Sequence, residues 1–243
     1  MKKTVLVAAL LLGLMPLAKA QTNLQEMYDF NRGHFTTTLE GFYADKWGST
    51  FFFNDIYHPG DAVAPTGYYT EIARGLNFWK DSKLAPLSLH VEWNGGQFAN
   101  NAWLFGVEYF LHSDDFRNTF TFELMYKAIK GQTDNVPLQF TFVWGMKDIF
   151  NVKGLTFSGF LDIWGEKNTW INDDLTTEET DWVILSEPQI WYNVGQHFSC
   201  PNLHVGGEVE LAYNFAGGWR TGADFPKNKG FNVAPCMGIK WVF

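Results

Sequence analysis

The stretch Phe231 to Phe243 constrains this chain more than any other. At period two, Phe231, Val233, Pro235, Met237, Ile239, Trp241 and Phe243 share one side, while Asn232, Ala234, Cys236, Gly238, Lys240 and Val242 share the other. That is a strand with one fatty face and one smaller, mixed face. The same period recurs along the chain, and after residue 20 no run approaches the ~18 consecutive apolar residues of a membrane helix. A chain built this way must bury one face of every strand, in a core or in lipid.

Composition bears on that choice. Aromatic residues make up 18%, with 11 Trp and 23 Phe, beside 18% charged residues. The mean hydropathy of -0.16 is that of a soluble domain. Lipid-facing and lumen-facing residues that alternate along a strand cancel in such an average, so a barrel is hidden by it. A net charge of -8 argues against nucleic acid or anionic lipid as the main partner. Residues 1–20 read as a cleaved signal peptide: Lys2 and Lys3 precede the apolar run Thr4 to Leu17, and Ala18-Lys19-Ala20 is a small-x-small cleavage site. The mature chain, 21–243, is expected to be one barrel domain.

The strands expected from alternation are Leu24–Phe30, His34–Tyr43, Ser49–Ile56, Tyr68–Trp79, Leu87–Trp93, Trp103–Tyr109, Thr119–Lys127, Leu138–Lys147, Leu155–Ile163, Ile184–Tyr192, Leu203–Leu211 and Phe231–Phe243. In the cleanest of them Phe122, Phe140 and Leu161 take the lipid parity and Glu123, Thr141 and Asp162 the lumen parity. Arg74 shares the apolar parity of its strand, which calls for an interfacial depth or a bulge. Gly33 suits a tight hairpin after the first strand. Asn168 to Asp181 reads as a long acidic loop, and Gly217 to Lys229 as a Gly-rich one. About twelve strands of roughly ten residues suit tilted strands that cross a bilayer. An even count puts both termini on one side, expected to be the periplasmic one. Longer loops near Pro59, Thr133, Asn172 and Gly222 alternate with tighter turns near Asp45, Asp115, Lys153 and Pro201, in keeping with that orientation.

The fold class expected is therefore all-β, a transmembrane antiparallel β-barrel whose first and last strands pair. Gly238, Trp241 and the terminal Phe243 resemble the C-terminal signal of bacterial outer-membrane barrels, which implies recognition by the barrel assembly machinery. Gly48-Ser-Thr-Phe-Phe-Phe-Asn-Asp55, Glu71-Ile-Ala-Arg74, His90-Val-Glu-Trp93 and Phe98-Ala-Asn-Asn-Ala102 are similar to the nucleoside-specific outer-membrane channels, the Tsx-like superfamily. Lys46-Trp-Gly-Ser-Thr50, Leu185-Ser-Glu-Pro-Gln189 and Asn214-Phe-Ala-Gly217 resemble more closely a related family of unknown function. The resemblance covers the mature chain and implies a monomeric twelve-stranded barrel in the outer membrane of a Gram-negative bacterium. For the channel branch it implies a narrow lumen that passes nucleosides.

The inward parity carries carboxylates on most strands, with Lys127, Lys147, Lys240, His90 and His204 as cationic partners. Such a set can be a self-satisfied polar filling or a solute path. For the path the candidate lining is Phe51, Phe53, Asp55, Tyr69, Glu71, Glu92, Glu108, Glu123, Asp162, Glu187 and Trp191. Rings stack on bases and carboxylates accept from ribose hydroxyls and base amines, so a small neutral solute fits better than a nucleotide. A barrel hydrolase of lipids needs its histidine on the lipid side, whereas His90 and His204 take the lumen parity and His34, His58, His112 and His197 lie near strand ends or loops. No catalytic residues, cofactor or metal are expected: there is no CxxC, no His-x-x-x-His and no Cys/His cluster with metal spacing. Cys200 in a turn and Cys236 in a strand leave a disulfide or two separate thiols open.

Overall fold

The computed structural model describes residues 21–58, 64–97, 99–171, 174–215 and 229–243. The expected leader 1–20 and its expected cleavage site, the loops around Pro59 and Gly222, and Asn172 lie outside the described residues, as do parts of the Phe98–Ala102 and Asn214–Gly217 blocks. The strands are β1 Gln21–Asp29, β2 His34–Asp45, β3 Gly48–His58, β4 Gly67–Leu76, β5 Leu87–Gly96, β6 Ala102–His112, β7 Asn118–Ile129, β8 Leu138–Lys147, β9 Leu155–Ile171, β10 Thr177–Ser186, β11 Gln189–Tyr192, β12 Leu203–Tyr213 and β13 Phe231–Val242. Each pairs antiparallel with its neighbours. No helix among the described residues is long and apolar enough to cross a membrane.

β10 and β11 both pair with β9 on one side and β12 on the other, so they are two halves of one stave. The break falls at Pro188, which has no N–H to donate. Opposite it, Gly159 holds φ +154, and a Cβ there would lie 2.5 Å from the Glu187 carbonyl oxygen. Counted this way the ring has twelve staves. It closes between β1 and β13, from Asn23 opposite Val242 to Asp29 opposite Cys236. The first and last strands thus pair as their patterning requires. With every edge joined, no row of backbone groups among the described strands is left unpaired, the condition for a strand structure in lipid.

Local chemistry sets the turns. At the first hairpin, Asp29 Oδ1 accepts from the backbone N–H of Asn31 at 2.7 Å and of Arg32 at 2.8 Å. Gly33 then takes φ +71, a left-handed value that favours glycine. Two boundaries differ from the sequence reading. Most of Asn168–Asp181 is strand: β9 runs on to Ile171 and β10 begins at Thr177, with a register shift between Thr180 and Trp182. The acidic side chains there mark an exposed hairpin, since both strands still find backbone partners. The strand read to Trp79 ends at Leu76. Arg74 sits in an unbroken register two residues from that end, where its guanidinium reaches Asp45 and Thr50, both at 2.8 Å. An interfacial depth, and not a bulge, explains it.

The outer surface is an apolar band between two aromatic girdles. Phe35, Tyr68, Trp103, Tyr126, Trp182 and Tyr213 ring the end away from the termini, while Trp47, Phe78, Tyr109, Trp241 and Phe243 ring the end that carries them. Leu39, Ile72, Val107, Phe122, Leu124 and Ile239 are exposed between them. Solvent-exposed side chains of this kind over a whole circumference are explained by lipid contact. The connections at the termini end are 46–47, 77–86, 113–117, 148–154 and 193–202. Those at the far end are 30–33, 59–66, 97–101, 130–137, 172–176 and 214–230, so loop length separates the two ends only weakly.

Candidate functional site

Alternation turns one residue in two inward, and ladder register brings those residues together across staves. On β3 and β4, Phe53 faces Glu71 and Asp55 faces Tyr69. The rings of Phe51 and Phe53 lie 6.0 Å apart and those of Phe53 and Tyr69 5.5 Å, a continuous aromatic ladder on the inner wall. Carboxylates flank it: Tyr69 Oη donates to Glu71 at 3.3 Å, and Asp55 accepts from Thr38 at 2.6 Å. All five of these residues are partly open to the lumen.

The facing staves are packed. Leu104 and Val183 are wholly buried, and they cluster with Ala102, Met125, Ile129 and Trp164 into an apolar filling inside the ring. Lys127 Nζ lies 4.1 Å over the Trp164 ring and donates to Gln139 at 2.7 Å. Gln139 passes a hydrogen bond to Thr141, which donates to Asp162 at 2.5 Å. Beside this chain His90 Nδ1 stands 3.0 Å from Glu108 and 3.9 Å from Glu123, and its Nε2 3.2 Å from Glu92. On the last staves Trp191 is buried, donating to Gln189 at 2.9 Å with Lys240 Nζ 4.2 Å over its ring. Arg32 leaves the first hairpin to bond Asp29 at 2.8 Å and Glu210 at 2.5 Å, tying β1 to β12 inside the ring.

The eleven residues expected to line a path therefore fall into groups. Phe51, Phe53, Asp55, Tyr69 and Glu71 form one patch. Glu92, Glu108 and Glu123 gather about His90, and Asp162 joins the Lys127 chain. Glu187 sits at the β10–β11 break, and Trp191 is wall filling with 1% exposure. Arg32 was missed because a residue beside a hairpin glycine reads as turn. Cys200 and Cys236 are separate free thiols.

One histidine departs from the lumen pattern. His58 ends β3 on the outward parity, with Nε2 3.0 Å from the Thr37 hydroxyl. That hydroxyl donates to Glu26 at 2.6 Å, so its proton is turned away from the imidazole. A hydrolytic nucleophile needs the reverse arrangement.

No curated protein matches the chain. Among solved structures the NanC porin is similar at 10% identity, with a TM-score of 0.53, covering 90% of this chain and 98% of that one. The KdgM porin in complex with disordered oligogalacturonate is similar at 9% identity, with a TM-score of 0.48 and coverage of 92% and 99%. Omp33 of Acinetobacter baumannii is similar at 12% identity, with a TM-score of 0.41 and coverage of 93% and 98%. At such identity the likeness to NanC speaks to the fold, and it agrees with the closed antiparallel ring of twelve staves. The family described as "Domain of unknown function (DUF5020)" matches residues 22–243, nearly the whole barrel, and the chain belongs to that family.

Proposed function

We propose that the barrel is an outer-membrane channel for small uncharged solutes, nucleosides foremost, which pass along the inner wall of β3 and β4. The observation that carries this reading is the Phe51–Phe53–Tyr69 ladder beside Asp55 and Glu71, left partly open while the facing staves are packed. A base that slides over successive rings gains about 1–3 kcal/mol per stacking contact, and the flanking carboxylates accept from ribose hydroxyls. The surplus of inward carboxylates opposes phosphate, which favours nucleosides over nucleotides. Leader, girdled apolar band and terminal Phe243 support export to the outer membrane, a monomeric barrel and periplasmic termini.

The test is ion current through the purified barrel in a planar bilayer, with and without nucleosides. Phe53→Ala is expected to weaken nucleoside block about 5- to 150-fold, the loss of one stacking contact, while open conductance changes little. Glu71→Gln is expected to lower cation over anion preference. A second reading, a barrel sealed by its own side chains, is favoured by the burial of Leu104, Val183, Gln25 and Trp191 inside the ring. Absence of both current and liposome uptake of nucleosides would refute the channel and leave the sealed barrel.

A further inference from the structure

We propose that His90, Glu108 and Glu123 form a binding site for one borderline divalent cation, Zn2+ foremost, on the inner wall of β5–β7, with Glu92 orienting the imidazole from behind. One nitrogen and two carboxylate oxygens from these three residues lie within 4.8 Å of one another. Zn–N and Zn–O distances of about 2.0–2.2 Å put tetrahedral ligands roughly 3.3–3.5 Å apart. The observed spacings from His90 Nδ1, 3.0 Å to Glu108 and 3.9 Å to Glu123, bracket that value. Small side-chain shifts would complete three protein ligands and leave a fourth position toward the lumen.

The hydrogen bonds around the ring orient it for such a site. His90 Nε2 faces Glu92 at 3.2 Å, and Glu92 is itself held by Asn94 at 2.9 Å. An ionised carboxylate only accepts, so Nε2 carries the hydrogen. The Nδ1 lone pair of a neutral ring then faces the Glu108 oxygen at 3.0 Å, acceptor against acceptor. Either a second ring proton or a metal cation must sit between them, and the two compete for the same nitrogen. The imidazole–carboxylate pair behind the ring is the arrangement that sets the tautomer of a metal-bound histidine.

Glu123 supplies an independent observation. It is nine-tenths buried, with 9% exposure, and its carboxylate has no hydrogen-bond partner among the described residues. Its one ionic contact is the 3.9 Å approach to Nδ1, an atom already engaged by Glu108. Among the described residues no lysine or arginine pairs with Glu92, Glu108 or Glu123. Lys127, two inward positions along β7, is committed to Gln139 and the Trp164 ring. A carboxylate drawn largely out of water, with only one distant ionic partner, carries a desolvation cost that a bound cation offsets. One imidazole with two carboxylates suits zinc and its neighbours, whereas calcium and magnesium take oxygen ligands.

The test is calorimetric titration of the untagged, detergent-folded barrel with ZnCl2, joined to zinc-edge X-ray absorption on the wild type. One Zn2+ per barrel is expected, with an imidazole nitrogen and carboxylate oxygens in its coordination shell. Glu92→Gln should weaken binding about 10- to 100-fold, and His90→Gln or Glu123→Gln by more than that. Ca2+ and Mg2+ should not compete. Titration without a one-to-one site, absorption spectra without an imidazole, or unaltered binding by His90→Gln would overturn the assignment, as would equal competition by Ca2+. The absorption measurement needs no variant, so the proposal stays testable if one fails to fold. No nucleoside enters the experiment, so its outcome is separate from that of the channel reading.

Discussion

Phe122→Arg tests the physical basis of the barrel most directly. Phe122 lies on β7, four residues from its Asn118 end and seven from its Ile129 end. A strand rising ~3.3 Å per residue at a tilt near 45° climbs about 2.3 Å per residue, which puts Phe122 about 9 Å from one rim and about 16 Å from the other, near the middle of a ~25 Å apolar band. Its side chain points outward, and its ring lies 4.8 Å from that of Phe142 on β8. An arginine at this depth costs about 2–4 kcal/mol, and loss of the ring pair adds about 0.5–1.5 kcal/mol. The sum, about 3–5 kcal/mol, lowers the folding equilibrium by roughly two to four orders of magnitude. Phe231→Arg, on the same face but at the first residue of β13, should cost only about 0–1 kcal/mol. Reversible urea unfolding in lipid vesicles, followed by tryptophan fluorescence, measures both. Equal costs at the two depths would refute the claim that this face meets hydrocarbon.

Deleting Phe243 should lower the amount of assembled, heat-modifiable barrel several-fold while leaving the stability of what does assemble little changed, because its ring is exposed; normal assembly would remove the signal reading. Leu104→Ala empties part of the apolar filling and should cost about 2–5 kcal/mol in the same unfolding assay, since Leu104 has no exposure; a cost below about 1 kcal/mol would mean the filling is loose. Arg32→Gln leaves Asp29 and Glu210 without their shared cation and should cost about 1–3 kcal/mol, a loss that Asp29→Asn combined with Glu210→Gln should largely restore.

The period-two pattern by itself determined which side of each strand meets lipid. Phe122, Phe140 and Ile239 point outward and Glu123, Thr141 and Lys240 inward because a pleated strand has no other choice. It also determined the number of staves, since each apolar face of about ten residues must span the bilayer once. Even closure was implied, because β1 and β13 have edges that lipid cannot satisfy.

What the tertiary structure decided is which inward residues meet. His90, Glu108 and Glu123 are far apart in sequence and carry no motif. They converge because His90 lies opposite Gly106, two residues from Glu108, and Glu108 lies directly opposite Glu123. A register shift of one residue would send each of them to the other face. The partly open Phe51–Phe53–Tyr69 ladder and the buried Trp191 share the same parity in sequence, yet one lines open space and the other fills the wall. Alternation is a property of the single strand. Register and the filling of the ring arise only when twelve staves close on one another, where side-chain volume summed across the lumen fixes what stays open.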